Sequence, residues 1–166
     1  MTQHDPRAGI ALRAIAPADE EFLAALYAST RAEEMALVDW DAASVQAFLR
    51  QQFEAQQVHY QSYFPAGEHR IILRDGRPIG RIYLDRSEER LHLLDIALLP
   101  EERGRGVGGA LMGDLLAEAQ AAGLPITLHV YRLDARVRAW YERLGFALVG
   151  ENGMYDLLEW HPRPAA

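Results

Sequence analysis

The stretch LLPEERGRGVGGALMGDLLAEA, residues 98–119, joins a glycine-rich turn to a helical pattern. Arg103 and Arg105 lie within the turn, and three glycines match the spacing G-x-G-x-x-G, at Gly104, Gly106 and Gly109. A glycine-rich turn that leads into a helix presents free backbone N–H groups and the positive end of the helix dipole, and both attract anions. The stretch therefore predicts a phosphate site, although its spacing leaves open which phosphate binds there.

Two common phosphate-binding motifs fit the surrounding sequence poorly. A dinucleotide fold places its first glycine at the very end of its first strand, whereas here Pro100–Arg103 intervene and most of the chain precedes Gly104. The acidic residue expected about 20 positions later would be Asp134, which lies beyond the next strand and starts a helix. A P-loop needs a lysine and a hydroxyl after its glycines, and Gly108-Gly109-Ala110 offers neither. A nucleotide motif of either kind is therefore disfavoured.

The composition is that of an acidic protein without cysteine. The chain has 166 residues, a formal net charge of −7 and a pI near 5.3. This length suits one domain with its own core, and we expect a flexible N-terminus over residues 1–9, a single domain over 10–160 and a tail over 161–166. The acidic balance disfavours nucleic acid as a partner, and no apolar run approaches the ~20 residues of a membrane span. The lack of cysteine excludes disulfides and fits a cytoplasmic location.

The hydrophobic pattern predicts the order β-α-α-β-β-β-α-β-α-β-β, which is a mixed sheet with helices on its faces. Asp75-Gly76 predicts a tight hairpin, and Asp41 or Ser44 is expected to cap the second helix. Residues 91–100 read LHLLDIALLP and are apolar almost throughout, so we expect a central strand covered on both faces. His129 lies in the apolar run LPITLHVY and is expected in the core.

Two motifs make the chain resemble the GCN5-related N-acetyltransferase (GNAT) superfamily. The cofactor motif of that family is (Arg/Gln)-x-x-Gly-x-(Gly/Ala), and Arg103–Gly108 reads RGRGVG after a strand ending in Pro100. A second family motif, Asn-x-x-Ala-x-x-(Leu/Phe)-Tyr-x-x-x-Gly-Phe, is similar to DARVRAWYERLGF, in which Asp134 and Val137 replace the Asn and the Ala. The element order also fits the family over residues 10–160, so the resemblance covers nearly the whole chain.

The resemblance implies a GNAT-type α+β fold, with a mixed, mostly antiparallel central sheet of six to seven strands flanked by about four helices. It also implies acetyl-CoA, or another acyl-CoA, as co-substrate. The CoA pyrophosphate needs several N–H donors at close range, and glycine permits that approach because it has no Cβ. The cofactor-binding positions carried over from the family, in which the loop acts mainly through its main chain, are Ile96, Ala97, Leu98, Arg103, Gly104, Arg105, Gly106, Val107, Gly108, Gly109, Asp134 and Tyr141.

Acyl transfer to an amine requires three tasks, which are amine deprotonation, stabilisation of the carbonyl oxygen and protonation of the leaving thiolate. By resemblance, Tyr141 is the general acid, the backbone N–H of Leu98 binds the thioester carbonyl, and Ile96 and Leu98 pair with pantetheine like an added strand. The pattern alone would read Tyr141 as a core aromatic residue.

His92 is the candidate general base or water relay, because some family members carry a glutamate base there and an ordinary histidine pKa, about 6.5, suits that role. A histidine that lines the sheet face is the alternative. Asp95 lies three residues further along the strand and therefore points to the opposite face.

In the family the acceptor lies between the first two helices and the last hairpin. Those segments offer acidic and aromatic side chains that would hold a cationic amine, and the candidate acceptor-binding residues are Tyr27, Arg31, Glu34, Trp40 and Tyr155. The same side chains also fit a solvated helix face and core aromatics. The sequence therefore leaves the acceptor unidentified.

We expect an enzyme, namely an N-acyltransferase that moves an acetyl group from acetyl-CoA to a primary amine of a small molecule, amino acid or protein by direct attack in a ternary complex. The alternative is a non-catalytic acyl-CoA-binding sensor or interaction module of the same fold. The six histidines show no pairing at metal-ligand spacing, so we expect no metal. The expected partner is a small-molecule or peptide amine, with no nucleic acid and no membrane, and a homodimer is a further expectation because dimers are common in the family.

Overall fold

The computed structural model describes residues 5–165. Within this range the strands are β1 (Ile10–Ala14), β2 (Glu68–Arg74), β3 (Arg77–Arg86), β4 (Leu91–Leu98), β5 (Ile126–Tyr131), β6 (Ala147–Asn152) and β7 (Tyr155–Trp160). The helices are α1 (Glu20–Thr30), α2 (Ala32–Met35), α3 (Ala42–Tyr63), α4 (Val107–Ala122) and α5 (Ala135–Arg143). None of the helices in this part of the chain is long and apolar enough to cross a membrane.

The strands form a sheet in the order β1-β2-β3-β4-β5-β7-β6. β4 and β5 are parallel, whereas β1 with β2, β5 with β7, and β6 with β7 are antiparallel. The predicted mixed sheet of six to seven strands is confirmed, and the apolar run that forms β4 is central as expected. The described residues contain five α-helices, close to the four or so expected, and the shortest is α2, a single turn of four residues.

The chain divides into two compact units. The first comprises Met1–Tyr83 and Asp95–Ala110, and the second comprises Leu84–Leu94 and Leu111–Ala166. The single domain expected over residues 10–160 stays a prediction. Of the expected flexible N-terminus, residues 1–4 lie outside the described residues, and residues 5–9 form a hydrogen-bonded turn.

The core of the first unit lies between α1, α3 and β2. Its buried members are Leu23, Tyr27, Leu49, Phe53 and Ile71. Asp41 caps α3, because its carboxylate accepts a hydrogen bond from the backbone N–H of Ser44 at 2.7 Å. Asp75 and Gly76 both adopt positive φ, 50° and 80°, as the predicted two-residue hairpin requires.

The second unit contains the ladder of β5, β7 and β6. Asp134 caps α5 as expected, since its carboxylate accepts a hydrogen bond from the N–H of Val137 at 3.1 Å. β5 is buried without interruption only over 126–128, and beyond Leu128 its residues alternate between exposed and buried. The prediction that His129 lies in the core is therefore wrong, because His129 falls on the exposed side of that alternation.

The backbones of β3 and β4 come very close at Gly80. A Cβ at this position would lie 2.3 Å from the carbonyl oxygen of Ala97 and 2.8 Å from Cδ2 of Leu98. Beside it, the N–H of Leu99 donates to the carbonyl of Ile79 at 2.8 Å. Glycine is required here because any Cβ would collide with backbone, which cannot move aside as a side chain can.

We therefore expect Gly80→Ala to lower the free energy of unfolding by about 1–3 kcal/mol, as overpacking does elsewhere. The matched control is Gly150→Ala in β6, where the added Cβ would meet Leu157 at ordinary distances of 3.8 and 3.9 Å. That control should be neutral or gain up to about 1 kcal/mol from the loss of glycine's unfolded-state freedom. Denaturant unfolding of both variants provides the measurement, and equal effects would contradict the close approach.

Candidate functional site

Two left-handed residues shape the glycine-rich loop. Gly104 has φ +72° and Gly106 has φ +85°, a region that residues with a Cβ rarely occupy. Residues 103–106 are exposed, whereas Val107 is buried and begins α4. A turn of this kind, leading into a helix, collects successive N–H groups into a nest for an anion. The backbone of the loop is thus compatible with anion binding, and the cofactor-binding role of its residues stays a prediction.

The buried carboxylate of Glu102 forms hydrogen bonds that hold the loop in place. Glu102 is 4% exposed, and its Oε2 accepts hydrogen bonds from Nε of Arg74 at 3.0 Å and from Nη1 of Arg105 at 3.3 Å. Arg74 also donates to the carbonyl of Ala8 at 3.3 Å. One carboxylate thus ties the loop to β2 and to the N-terminal turn. This role could not be predicted from the sequence, because an acidic residue within PEER is typical of a solvated surface.

Arg103 holds the end of β4 rather than projecting freely from the loop. Its Nε donates to the carbonyl of Leu98 at 3.0 Å, and its Nη2 donates to the hydroxyl of Ser29, near the end of α1, at 3.3 Å. The guanidinium therefore joins the loop, β4 and α1 within the first unit. The main-chain role expected of Arg103 in cofactor binding stays a prediction.

Along β4, the backbone N–H and C=O groups of successive residues point alternately to the two edges of the strand. Because the N–H of Leu99 points to β3, the polar groups of Ile96 and Leu98 point away from β3. The carbonyl of Ala97 faces Gly80 of β3. The ladder of β4 with β5 covers residues 91–93, whereas β4 itself continues to Leu98. Ile96 and the N–H of Leu98 thus provide outward backbone groups that an added strand would use, whereas the carbonyl of Leu98 already accepts from Arg103.

Tyr141 lies in the second unit, where it is 6% exposed. Its ring contacts Trp140 and Phe146, with centroid distances of 4.8 and 5.5 Å. Asp134 stands where the second family motif has Asn. One of its carboxylate oxygens caps α5. A cap at this position explains why an acid serves where the family pattern has an amide.

His92 also lies in the second unit and is 3% exposed. Its Nδ1 is 2.6 Å from the hydroxyl oxygen of Thr127, and its ring meets that of His129 edge-on with centroids 5.4 Å apart. Burial, together with the positive charge of Arg90, lowers the pKa of His92 to about 4. The ordinary pKa expected from the sequence is therefore wrong, because the strand removes the ring from water.

The candidate acceptor residues fall into two groups. In the first unit, Nη1 of Arg31 donates to the hydroxyl of Tyr27 at 2.6 Å, and its Nε donates to Glu34 at 2.9 Å. Trp40 is 51% exposed and packs edge-on against Phe48. Tyr155 belongs to the second unit, where it is half exposed beside Tyr131.

The first unit also contains a second group of polar side chains that the sequence does not indicate. We call it the Arg81 cluster, and its members are Gln56, Gln57, Tyr60, His69, Arg81, Tyr83 and Asp95. Arg81 is 1% exposed; its Nε donates to Asp95 at 2.5 Å and its Nη2 donates to Gln56 at 2.8 Å. The only sequence signal was an arginine within the apolar run of β3, which also fits a solvent-facing position.

A family model and several solved structures are similar to this chain. The family model described as Acetyltransferase (GNAT) family matches residues 24–146. PaiA N-acetyltransferase from Thermoplasma acidophilum, solved with coenzyme A, is 19% identical, with coverage of 92% of this chain and 98% of that one and a TM-score of 0.66. The ribosomal-protein-S18-alanine N-acetyltransferase from Escherichia coli is 18% identical, with coverage of 95% and 96% and a TM-score of 0.60.

A third similar structure, of histone acetyltransferase HPA2 and related acetyltransferase from Corynebacterium glutamicum, is 21% identical, with coverage of 95% and 98% and a TM-score of 0.63. At these identities the likeness is one of fold. No curated protein matches the chain significantly. The family model covers well over half of the sequence, including both motifs up to Phe146, and the chain therefore belongs to the GNAT acetyltransferase family.

Proposed function

We propose that this protein is an N-acyltransferase that moves an acetyl group from acetyl-CoA to a primary amine within a ternary complex. The observation that carries the proposal is the exposed loop with left-handed Gly104 and Gly106 that opens directly onto α4. Its N–H groups suit a short, doubly charged pyrophosphate. The similar PaiA structure contains coenzyme A, which supports the same kind of ligand here.

The outward backbone groups of Ile96 and Leu98 take pantetheine in the proposed complex, and the N–H of Leu98 binds the thioester carbonyl oxygen as negative charge develops there. The amine nitrogen attacks the carbonyl carbon, and the carbon–sulfur bond breaks. The sulfur then takes a proton from Tyr141, while the amine proton leaves to His92 or to water. The roles of Tyr141 and His92 rest on the family resemblance.

Two measurements test this proposal against its rivals. We expect acetyl-CoA to raise the melting temperature, NADH to leave it unchanged, and thiol to be released from acetyl-CoA when a suitable amine is present. Stabilisation by acetyl-CoA without thiol release across a broad amine panel would favour a non-catalytic sensor. Stabilisation by NADH alone would contradict the proposed co-substrate.

For the loop, we expect Gly104→Ala to weaken acetyl-CoA binding about tenfold, or about 1.4 kcal/mol. The new Cβ would enter the open space above the loop, where the structure shows nothing within 4 Å. Gly153→Ala is the matched control, because Gly153 also has positive φ, +61°, and open surroundings. Calorimetric titration should give Gly153→Ala the same dissociation constant for acetyl-CoA as the unaltered protein. Equal losses of affinity in both variants would argue against acetyl-CoA binding at the loop.

For the general acid, we expect Tyr141→Phe to lower kcat at least tenfold while the dissociation constant of acetyl-CoA changes less than twofold, since only the hydroxyl is lost. Tyr131→Phe, an exposed tyrosine of the same unit, provides the control. Steady-state thiol release and equilibrium titration supply the two readouts. A kcat equal to that of the control would remove Tyr141 from the mechanism.

For His92, the lowered pKa makes stability depend on pH. The unfolded chain binds a proton near pH 6.5, whereas the folded protein binds it only near pH 4. Protonation therefore favours unfolding as pH falls through this window, and we expect His92 to remove about 2 kcal/mol of stability between pH 7 and pH 5. His92→Gln should reduce that loss, and the exposed His59→Gln should not. Urea unfolding at both pH values measures the loss of stability in each variant. Equal losses in the unaltered protein and in His92→Gln would contradict the burial effect.

The same variant tests the proposed base. A pKa of about 4 leaves the ring unprotonated at neutral pH, as a base must be, but makes it a weak proton acceptor. If His92 takes the proton, His92→Gln lowers kcat/KM throughout the neutral range. A kcat/KM profile that is unchanged from pH 6 to pH 9 would assign the proton to water or to another group.

A further inference from the structure

The Arg81 cluster contains an unusual concentration of unpaired polar atoms. Buried side-chain atoms without a hydrogen-bond partner include Nη1 of Arg81, the hydroxyl of Tyr83, Nε2 of His69 and Oε1 of Gln57. A buried polar group without a partner costs about 1–3 kcal/mol, so such groups are rare and call for an explanation. The Arg81 cluster brings four such atoms together, and a bound molecule with complementary groups could pair with them.

These positions have a definite chemical character. Burial by itself would lower the pKa of Arg81, but the Asp95 carboxylate raises it, so the guanidinium stays charged. Burial raises the pKa of Tyr83, so its hydroxyl keeps its proton. The hydroxyl approaches Arg81 and Gln57 closely enough for both to influence that pKa, without good hydrogen-bond geometry to either. The cluster therefore offers donors from Arg81 and Tyr83 beside an acceptor from Gln57.

Tyr83 is held rigidly in place. Its ring stacks on that of His69 with centroids 4.3 Å apart, and the ring of Tyr60 meets it edge-on at 5.6 Å. The guanidinium of Arg81 lies 4.9 Å from the centre of the same ring. A hydroxyl fixed in this way loses little entropy when it binds a ligand atom.

Asp95 connects the cluster to the proposed reaction site. Its side chain is 24% exposed, and it directly precedes Ile96, where the proposed pantetheine strand begins. In Arg81, the Nε that bonds Asp95 and the unpaired Nη1 belong to the same guanidinium group, so a carboxylate that can accept from an amine and an N–H that can donate to an oxygen lie in the same cluster.

We propose that the Arg81 cluster is the acceptor subsite and that it selects an amine carrying a neighbouring carbonyl or carboxylate oxygen, as in an amino acid or a peptide N-terminus. This inference rests on the proposed function. Asp95 accepts a hydrogen bond from the amine, while Arg81 and Tyr83 donate to the oxygen. Because Asp95 and His92 point to opposite faces of β4, the amine proton at this subsite leaves to water rather than to His92. Arg81 also balances the charge of Asp95, so the pair attracts an ammonium only weakly and accepts the uncharged, reactive amine. The unpaired atoms are closed to solvent in the free protein, so side chains at the edge of the cluster must move when the acceptor enters.

The test compares matched acceptors that differ only in the oxygen-bearing group. Phenylalanine, phenylalanine amide and 2-phenylethylamine form one set, and alanine, alanine amide and ethylamine form another. We expect the oxygen-bearing members to exceed the plain amine in kcat/KM at least tenfold, because a site built to bond an oxygen leaves buried donors unpaired without it. Preference for the carboxylate identifies a free amino acid as the source, and preference for the amide identifies a peptide N-terminus.

Tyr83→Phe separates binding from folding. The hydroxyl makes no hydrogen bond of normal geometry in the free protein, although Arg81 and Gln57 lie close enough to affect its pKa, so its removal should leave the melting temperature unchanged or raised. It should also raise KM for the oxygen-bearing acceptors about tenfold and leave the plain amine unaffected. Tyr63→Phe, at a 71% exposed tyrosine of α3, is the control, and Asp95→Asn should raise KM for every acceptor.

The outcomes distinguish this inference from the proposed function. If oxygen-bearing and plain amines react equally, or if Tyr83→Phe behaves like Tyr63→Phe, the acceptor subsite is overturned while the acetyltransferase stands. If Tyr83→Phe lowers the melting temperature, the hydroxyl has a structural partner and the subsite is also overturned. If no amine releases thiol and acetyl-CoA does not stabilise the protein, the proposed function fails and the subsite fails with it.

Discussion

The close approach of β3 to β4 at Gly80 is the constraint on which the end of β4 depends. Without a Cβ, the backbone of Gly80 comes within reach of Ala97 and Leu98, and the Leu99 hydrogen bond to Ile79 follows at the same point. That pairing fixes which residues of β4 face β3, and hence that Ile96 and Leu98 face away. Arg103 then holds the carbonyl of Leu98 at the start of the loop. A single glycine contact thus sets the register of the strand that leads into the phosphate loop.

Most of the fold could be predicted because its signals are local. The Asp75-Gly76 hairpin, the caps at Asp41 and Asp134, and the apolar run of β4 each depend on a few neighbouring residues. Local signals were insufficient where a strand changes its surroundings along its length. β5 is buried throughout over 126–128 and then alternates, and no feature of LPITLHVY marks that change, so the sequence alone does not show that His129 is exposed.

The supports of the candidate site could not be predicted, because they are pairs between distant parts of the chain. Glu102 meets Arg74 across 28 positions, and Arg81 meets Asp95 across 14. In the sequence each of these residues reads as an ordinary surface charge, since charged side chains are rarely buried unless they are paired. The spacing of a motif identifies the glycine-rich loop. The ion pair of Glu102 with Arg74 and the Arg81 cluster can be recognised only from the three-dimensional structure.

The carboxylate of Glu102, shared by two guanidinium groups, leaves one positive charge in excess beside the loop. The whole chain carries −7, so an anionic ligand meets long-range repulsion before it reaches that local attraction. Salt at 0.1 M screens charges beyond about 10 Å, which removes the repulsion while sparing the short contacts at the loop. Association with an anionic ligand should therefore accelerate as salt is first added, the reverse of the salt dependence that a basic protein shows toward a polyanion.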